Sequence, residues 1–314
     1  MNKKHIRKYS LFVFFLLITT FSKAENITGY VRSETGYGVP FASIFLQKKN
    51  IGLITNIYGQ YRLPIDILLE VYDTLVFSSV GYVTKRIPVS LFAEKALAGH
   101  TTIVLTINSI SLPETVIVAS PHGPRNYGFF HLRSARFFIP SVPGGRIMVF
   151  VENTDNMPKI IQTINIRQRS GVADRVEKIR VFFYQKNETG FQNINVANEG
   201  IFITDLSQEN IRHDVSKHRI PFPAEGIFVG IEWIGPENVI QDRSRAIDLL
   251  GVSATNRIRG YRSWMFAKGR GEWVLFPPEI LKQMLNDEFS GRIGQGMVRR
   301  LFRNINFQIG LTAY

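Results

Sequence analysis

The chain has 314 residues, 45% of them hydrophobic and 12% aromatic, with 38 Lys and Arg against 25 Asp and Glu and no cysteine. This is too long for one average domain and suits two, with enough apolar material to exclude global disorder. The missing thiol excludes a disulfide scaffold, Cys-ligated zinc, iron–sulfur clusters, a thiol nucleophile and an amino-terminal lipid on Cys.

Lys3, Lys4, Arg7 and Lys8 precede an apolar run from Leu11 to Ile18, and Ser22-Lys23-Ala24 puts small residues where a signal peptidase cuts. The layout predicts a secretory signal peptide over 1–24. The apolar run is shorter than the roughly 20 residues of a spanning helix, and no later stretch is long enough to serve, so no transmembrane helix is expected after cleavage. Beyond residue 24, 33 cations face 25 acids; residues 25–119 hold seven of each sign, so the whole excess lies in 120–314. A basic exported protein is not expected to meet nucleic acid. Acidic polysaccharide, lipid phosphates or plain solvent are the candidates for that charge.

From Ile27 the pattern has period two. Ile27, Gly29 and Val31 alternate with Thr28 and Tyr30; Phe41 to Leu46, Tyr61 to Leu63, Leu75 to Val80, Lys85 to Val89 and Thr101 to Ile107 follow, divided by Gly, Pro and Asn turns. Short strands at regular spacing predict an antiparallel sandwich, with one helical turn near Ser90–Ala98.

Ile27-x-Gly29-x-Val31, Gly38-x-Pro40-x-Ala42-x-Ile44, Thr55-Asn56-x-x-Gly59-x-Tyr61 and Phe77-Ser78-Ser79-x-Gly81-Tyr82 occur in order over about a quarter of the chain. In this respect residues 26–107 resemble the carboxypeptidase regulatory-like domain common in the Bacteroidetes envelope. The resemblance implies a seven-stranded, transthyretin-like sandwich without catalytic residues of its own. In that family the module often precedes the plug and barrel of a TonB-dependent receptor, and Leu112 to Val118 is similar to the intervening linker. About 195 residues remain, too few for a plug and a 22-stranded barrel, so a receptor is not expected.

Ala119-Ser120-Pro121-His122-Gly123-Pro124 reads as a boundary, giving units at 25–110 and 125–314 with a linker at 111–124. Alternation returns at Ile147, Val149, Val151; Ile164, Ile166; Ile179, Val181, Phe183; Ile201, Ile203; and Ile227, Val229, Ile231, Trp233. Ile305, Phe307, Ile309 and Leu311 predict a strand with one wet face, and Glu279–Phe289 a short helix after Pro277-Pro278. The fold class expected is all-β: two antiparallel sandwiches, the second jelly-roll-like. The texture from Val181 to Trp233 resembles sandwich domains found beside the regulatory-like module, some of which bind carbohydrate. Tyr314, ending an alternating strand, is also similar to the last residue of outer-membrane barrels, though a closing sandwich strand accounts for it.

The chain carries no G-x-S-x-G, H-E-x-x-H, P-loop or EF-hand motif, and no cofactor is expected. Arg212-His213-Asp214 with His218 is flanked by cations that would repel a metal, so no metal site is expected. Gly291 to Gly296 lacks the strand and the Lys-Ser/Thr of a phosphate loop. Glu232 lies on the strand face opposite Ile231 and Trp233, beside Phe228 and Gly230. It is either a glycosidase acid lacking an assigned partner (Asp205 and Asp248 are guesses) or the partner of an arginine, and the second reading is preferred. The candidate ligand-binding set is Arg257, Arg259, Tyr261, Arg262, Trp264 and Trp273, because guanidinium forks match carboxylates and sulfates while aromatic faces stack on sugars. The bland reading of this stretch is a hairpin with its aromatics in the core and its arginines outside.

The function expected is that of an exported, non-catalytic envelope protein, periplasmic or outer-membrane associated, with a binding or accessory role. Its candidate partners are an acidic glycan, lipopolysaccharide or an outer-membrane protein. The alternatives are a glycan-active hydrolase, which needs two convergent acids, and a docking module that uses an exposed strand edge.

Overall fold

The computed structural model describes residues 26–68, 72–110, 123–129, 137–140, 143–169, 176–187, 190–194, 200–242, 251–255, 263–267, 272–275, 306–307 and 309–314. The predicted signal peptide, residues 111–122 of the linker and the predicted helix at 279–289 lie outside the described residues.

The first unit contains β1 (Asn26–Ser33), β2 (Ser43–Leu46), β3 (Ile51–Ile54), β4 (Gln60–Pro64), β5 (Thr74–Ser78), β6 (Lys85–Pro88), α1 (Val89–Leu97) and β7 (Thr102–Leu105). Alternation does what period two requires: β1 buries Gly29, Val31 and Ser33 and exposes Thr28, Tyr30 and Arg32. A three-stranded sheet, β4-β1-β7, lies over a sheet that contains β3-β2-β5-β6. Between them Val31, Ile44, Leu53, Leu63, Leu75 and Leu105 form one core. The tilted rings of Tyr61, Phe77 and Phe92 meet inside it. The Tyr61 hydroxyl donates to the Thr101 carbonyl at 2.6 Å, so its polar tip is satisfied. One pairing in this otherwise antiparallel unit, β1 with β7, is parallel.

The chain continues through β8 (Ser109–Ile110), β9 (Arg125–Gly128), β10 (Phe137–Pro140), β11 (Arg146–Val151), β12 (Lys159–Arg169), β13 (Lys178–Asn187), β14 (Gly190–Ile194), β15 (Ile201–Ile203) and β16 (Asn210–Asp214). After these come β17 (Pro221–Phe222), β18 (Ile227–Ile234), β19 (Gln241–Asp242), β20 (Gly251–Thr255), β21 (Ser263–Ala267), β22 (Glu272–Leu275), β23 (Asn306–Phe307) and β24 (Ile309–Ala313). One sheet runs β10-β20-β12-β24-β9, with β16 and β17 also on β12 and β23 on β20; the other runs β22-β21-β11-β18-β13-β14-β8, with β15 on β13. The residues whose alternation marked the second unit, Ile147, Val149, Val151, Ile164, Ile166, Ile179, Val181, Phe183, Ile227, Val229, Ile231 and Trp233 among them, fill the core between these sheets. The fold is all-β, with a sandwich in each half.

Two features depart from the sequence reading. The last strand has no wet face: β24 lies between β12 and β9, and Thr312 is buried between Asn165, which donates to its hydroxyl, and Asn126, which accepts from it. Strands also cross between the halves. β8, which directly follows the first sandwich, pairs in parallel with β14, and β19 of the second half extends the first unit's sheet by pairing with β3. No helix among the described residues is long and apolar enough to cross a membrane.

Candidate functional site: an arginine and aromatic sheet face at the joint

Every residue of β18 is buried. A strand with one face on a sandwich core should alternate, so its second face must be covered too. Ile227, Val229, Ile231 and Trp233 enter the core, and Phe228, Gly230 and Glu232 point to the other side of the sheet. Cross-strand register arranges that side in rows. Phe202, Arg180, Glu232 and Arg146 are successive partners across β15, β13, β18 and β11. Two residues along, Phe182, Gly230, Met148 and Trp264 are successive partners across β13, β18, β11 and β21, and beyond them come Tyr184, Phe228 and Phe150. The middle row needs its glycine: Phe182 occupies the space that a Cβ on Gly230 would take.

The first row is ionic. Glu232 is wholly buried, and its Oε1 accepts from Arg146 Nε at 2.8 Å while Oε2 stands 3.4 Å from Arg180 Nη1. Aromatic rings close both ends, with Phe266 4.8 Å from the Arg146 guanidinium carbon and Phe202 and Phe41 at 5.5 and 5.7 Å from that of Arg180. Burial lowers the Arg180 pKa, and the charge of Glu232 opposes that shift.

What covers this row is the first unit. Arg180 donates to the Pro40 carbonyl at 2.8 Å and to the Ser79 hydroxyl at 3.2 Å, and Arg146 reaches the Ser78 hydroxyl at 3.4 Å. The Gly81 amide donates to the Tyr184 hydroxyl at 3.4 Å, and Val80 packs on the aromatic rows. Beside them Phe41, Ile54, Ile234 and Phe202 form a joint apolar cluster, with the Lys178 ammonium 4.2 Å from the Phe41 ring. Phe41 adopts φ 53°, a left-handed conformation that costs a bulky residue of order 1–3 kcal/mol. This strained residue directly follows the carbonyl that receives Arg180.

Of the six candidate ligand-binding residues, Arg257, Arg259, Tyr261 and Arg262 lie outside the described residues. Trp264 and Trp273 belong to the aromatic face, in the same cluster as Val80 of the first unit. The Trp264 ring is 4.8 Å from Phe191, and that of Trp273 is 5.4 Å from Phe266 and 5.8 Å from both Phe182 and Tyr184. Both indoles are half-buried. Sequence reasoning missed Arg146, Arg180 and the serines. A signal existed, since each arginine directly precedes a core residue, Ile147 or Val181, and so shares Glu232's side of the sheet.

A second polar cluster lies on the opposite sheet. Asp155 accepts from Tyr127 at 2.8 Å and meets Arg125 at 3.1 Å and the buried Lys159 at 3.3 Å. The tyrosine hydrogen bond and these cations hold its carboxyl below the usual range. His213 lies on β16 opposite Ile164, where burial lowers its pKa, and Asp214 accepts from the Ser216 amide at 2.8 Å. Asp205 is held by the amide and hydroxyl of Ser207. Asp248 and the Gly291–Gly296 stretch lie outside the described residues.

No curated protein matches this chain. Residues 27–117 match the family model described as the CarboxypepD_reg-like domain, which spans all four sequence motifs and the whole first sandwich. The Pro40 carbonyl and the Ser78 to Gly81 turn that receive the arginine row belong to those motifs, and the first unit of this chain is a CarboxypepD_reg-like domain.

Proposed function

We propose that this chain is an exported, non-catalytic binding or accessory protein of the Bacteroidetes envelope, acting at the outer membrane. In this reading, the Trp264 and Trp273 side of the aromatic face contributes to recognition of an acidic glycan. The observation that carries the reading is the fate of Glu232. A glycosidase acid must be exposed to substrate and placed against a second carboxylate. Glu232 is instead sealed beneath the first unit with the two arginines that hold it, so its carboxylate is not presented to a ligand, and what this face offers is the half-buried rings of Trp264 and Trp273. Half-buried tryptophans on a rigid sheet suit stacking on sugar rings at low entropic cost.

The test is a glycan array that includes sulfated, uronic-acid and lipopolysaccharide glycans, probed at low and at near-physiological salt. Salt-resistant binding to a defined sugar, lost in Trp264→Ala, is expected. Binding that disappears with salt, or none at all, reduces the positive charge to surface charge and leaves a structural role at the outer membrane.

A further inference from the structure

The three-stranded sheet of the first unit turns one face to the core and leaves the other open. On the open side β1 presents Thr28, Tyr30 and Arg32, β4 presents Arg62, and β7 presents Thr102 and Val104. Arg32 lies over the Tyr30 ring, with its guanidinium carbon 5.1 Å from the centroid. Lys85 adds a third cation at the edge by donating to the Val104 carbonyl at 3.1 Å. None of the outward side chains of β1, β4 and β7 is a carboxylate. Glu34, just past the end of β1, accepts from Thr106 at 3.1 Å.

At the Arg32 end of this face two turns meet, and they carry exposed large apolar side chains. Tyr37 is 78% exposed, Tyr58 71% and Ile57 56%. Exposed aromatics on loose loops lose much entropy when bound, but these are held. Asn56 Oδ1 accepts from the amides of Tyr58 and Gln60, and the Gly59 amide donates to the Asn56 carbonyl at 2.9 Å. Gly38, next to Tyr37, packs so closely on the Tyr58 carbonyl that a Cβ has no room there. Exposed tyrosines on hydrogen-bonded turns, beside Arg32 and with Arg62 further along the sheet opposite Thr28, form a preorganised contact surface of the kind that binding loops use.

We infer that this face is a second binding surface, in which Tyr37 and Tyr58 stack on the rings of an acidic glycan while Arg32 and Arg62 take its carboxylates or sulfates. Charge decides the class of ligand: the outward side chains of β1, β4 and β7 include two arginines and no carboxylate, with Glu34 only at the edge and engaged by Thr106, and guanidinium forks match carboxylate and sulfate oxygens in a way that neutral sugars cannot use. The surface belongs to the first unit, so it stands or falls independently of Trp264 and Trp273. If both surfaces bind, one polysaccharide strand meets two linked sites and gains by avidity.

The full chain would be titrated calorimetrically with tetragalacturonate and with a sulfated heparin tetrasaccharide, against maltotetraose and poly-glutamate, at near-physiological salt. The acidic tetrasaccharides are expected to bind more tightly than either control. Tyr37→Ala with Tyr58→Ala should weaken them by about tenfold or more, the scale of an interface anchor. Arg32→Gln with Arg62→Gln should remove the preference for acidic over neutral sugar. All four side chains are exposed, so the variants keep the fold, and circular dichroism checks that. The inference is overturned if no acidic tetrasaccharide binds, if poly-glutamate binds equally well, or if the tyrosine pair has no effect. Binding abolished by Trp264→Ala alone would also overturn it, while supporting recognition at the other face.

Discussion

Replacing Glu232 by Gln removes the only negative charge from a row that also holds Arg146 and Arg180, all three nearly inaccessible to solvent. Two guanidiniums would then face each other across a neutral amide, in a site that water cannot reach. Breaking a buried ion pair from one side costs about 3–5 kcal/mol. Removing the whole row at once, with Arg146→Met, Glu232→Leu and Arg180→Met together, leaves no uncompensated charge. Replacing such a triad by apolar residues is about neutral, or stabilising by ~1–4 kcal/mol. Against that stands the loss of the donor to the Pro40 carbonyl, at ~1–3 kcal/mol for a buried acceptor left unsatisfied. The triple variant should therefore be more stable than Glu232→Gln, although it carries three changes. Urea unfolding followed by tryptophan fluorescence reads this directly. A loss below about 1 kcal/mol for Glu232→Gln, the value of an exposed pair, would refute the reasoning. So would a triple variant less stable than the single one.

The joint also predicts coupling between the units. Trp233, Trp264 and Trp273 are the only tryptophans and all lie in the second unit, so their fluorescence reports that unit and its joint with the first. Phe77→Ala, in the core of the first unit, should cost about 3–5 kcal/mol and should lower the tryptophan-reported midpoint together with the far-ultraviolet one; a tryptophan transition that stays in place would show two independent units. Asp155 gives a pH dependence of known sign. Its carboxyl is held below the ordinary value of 3.8, so its contribution is full above that value and is lost as pH falls through the folded-state pKa. Asp155→Asn should be less stable than the parent at neutral pH and should show a shallower acid limb in thermal melts. Parallel curves from pH 5 down to 2 would show that the tyrosine and its cations do not stabilise the carboxylate.

Both sandwiches were legible because period-two alternation is a direct imprint of a half-buried strand. Val31 in β1 and Ile147, Val149 and Val151 in β11 were placed on core faces from alternation alone, and that is where they lie. Alternation is blind to the second face. Nothing in Phe228, Gly230 and Glu232 says whether the side opposite the core meets water or another unit, and β18 proved to be covered on both. Likewise, Thr312 reads as a solvent-facing residue until Asn126 and Asn165, remote in sequence, are brought beside it. Strand exchange is harder still to read. Two-residue strands such as β8 and β19 carry no period, so the boundary drawn between the units could not show that β19 pairs back onto β3. Trp264 and Trp273 were singled out for their ring chemistry, but what organises them is the row of side chains on a shared sheet, which follows from register and not from composition.

The placement of the family motifs changes what those motifs do in this chain. In an isolated sandwich, Gly38-x-Pro40 and Ser78-Ser79-x-Gly81-Tyr82 have only turns to make, and Gly81, at φ 81°, makes one. Here the same segments expose the acceptors that a basic sheet needs, namely a proline carbonyl, which has no amide of its own to pair, and two serine hydroxyls. Each is polar without being charged, so the arginines are solvated by the partner unit while Glu232 alone balances their charge. Two cations and one anion leave the row one positive charge in excess, and such a row is tolerable in a buried joint only where dipoles point at it from the other side. The Pro40 carbonyl is one such dipole, at 2.8 Å from Arg180. The left-handed turn at Phe41, strained and directly following it, is the local cost of aiming that carbonyl at Arg180. A first unit rotated away from this joint would expose two arginines and a carboxylate and would also strip β19 from β3. A hinge motion between the units would therefore have to break both the ionic joint and the strand pairing across it.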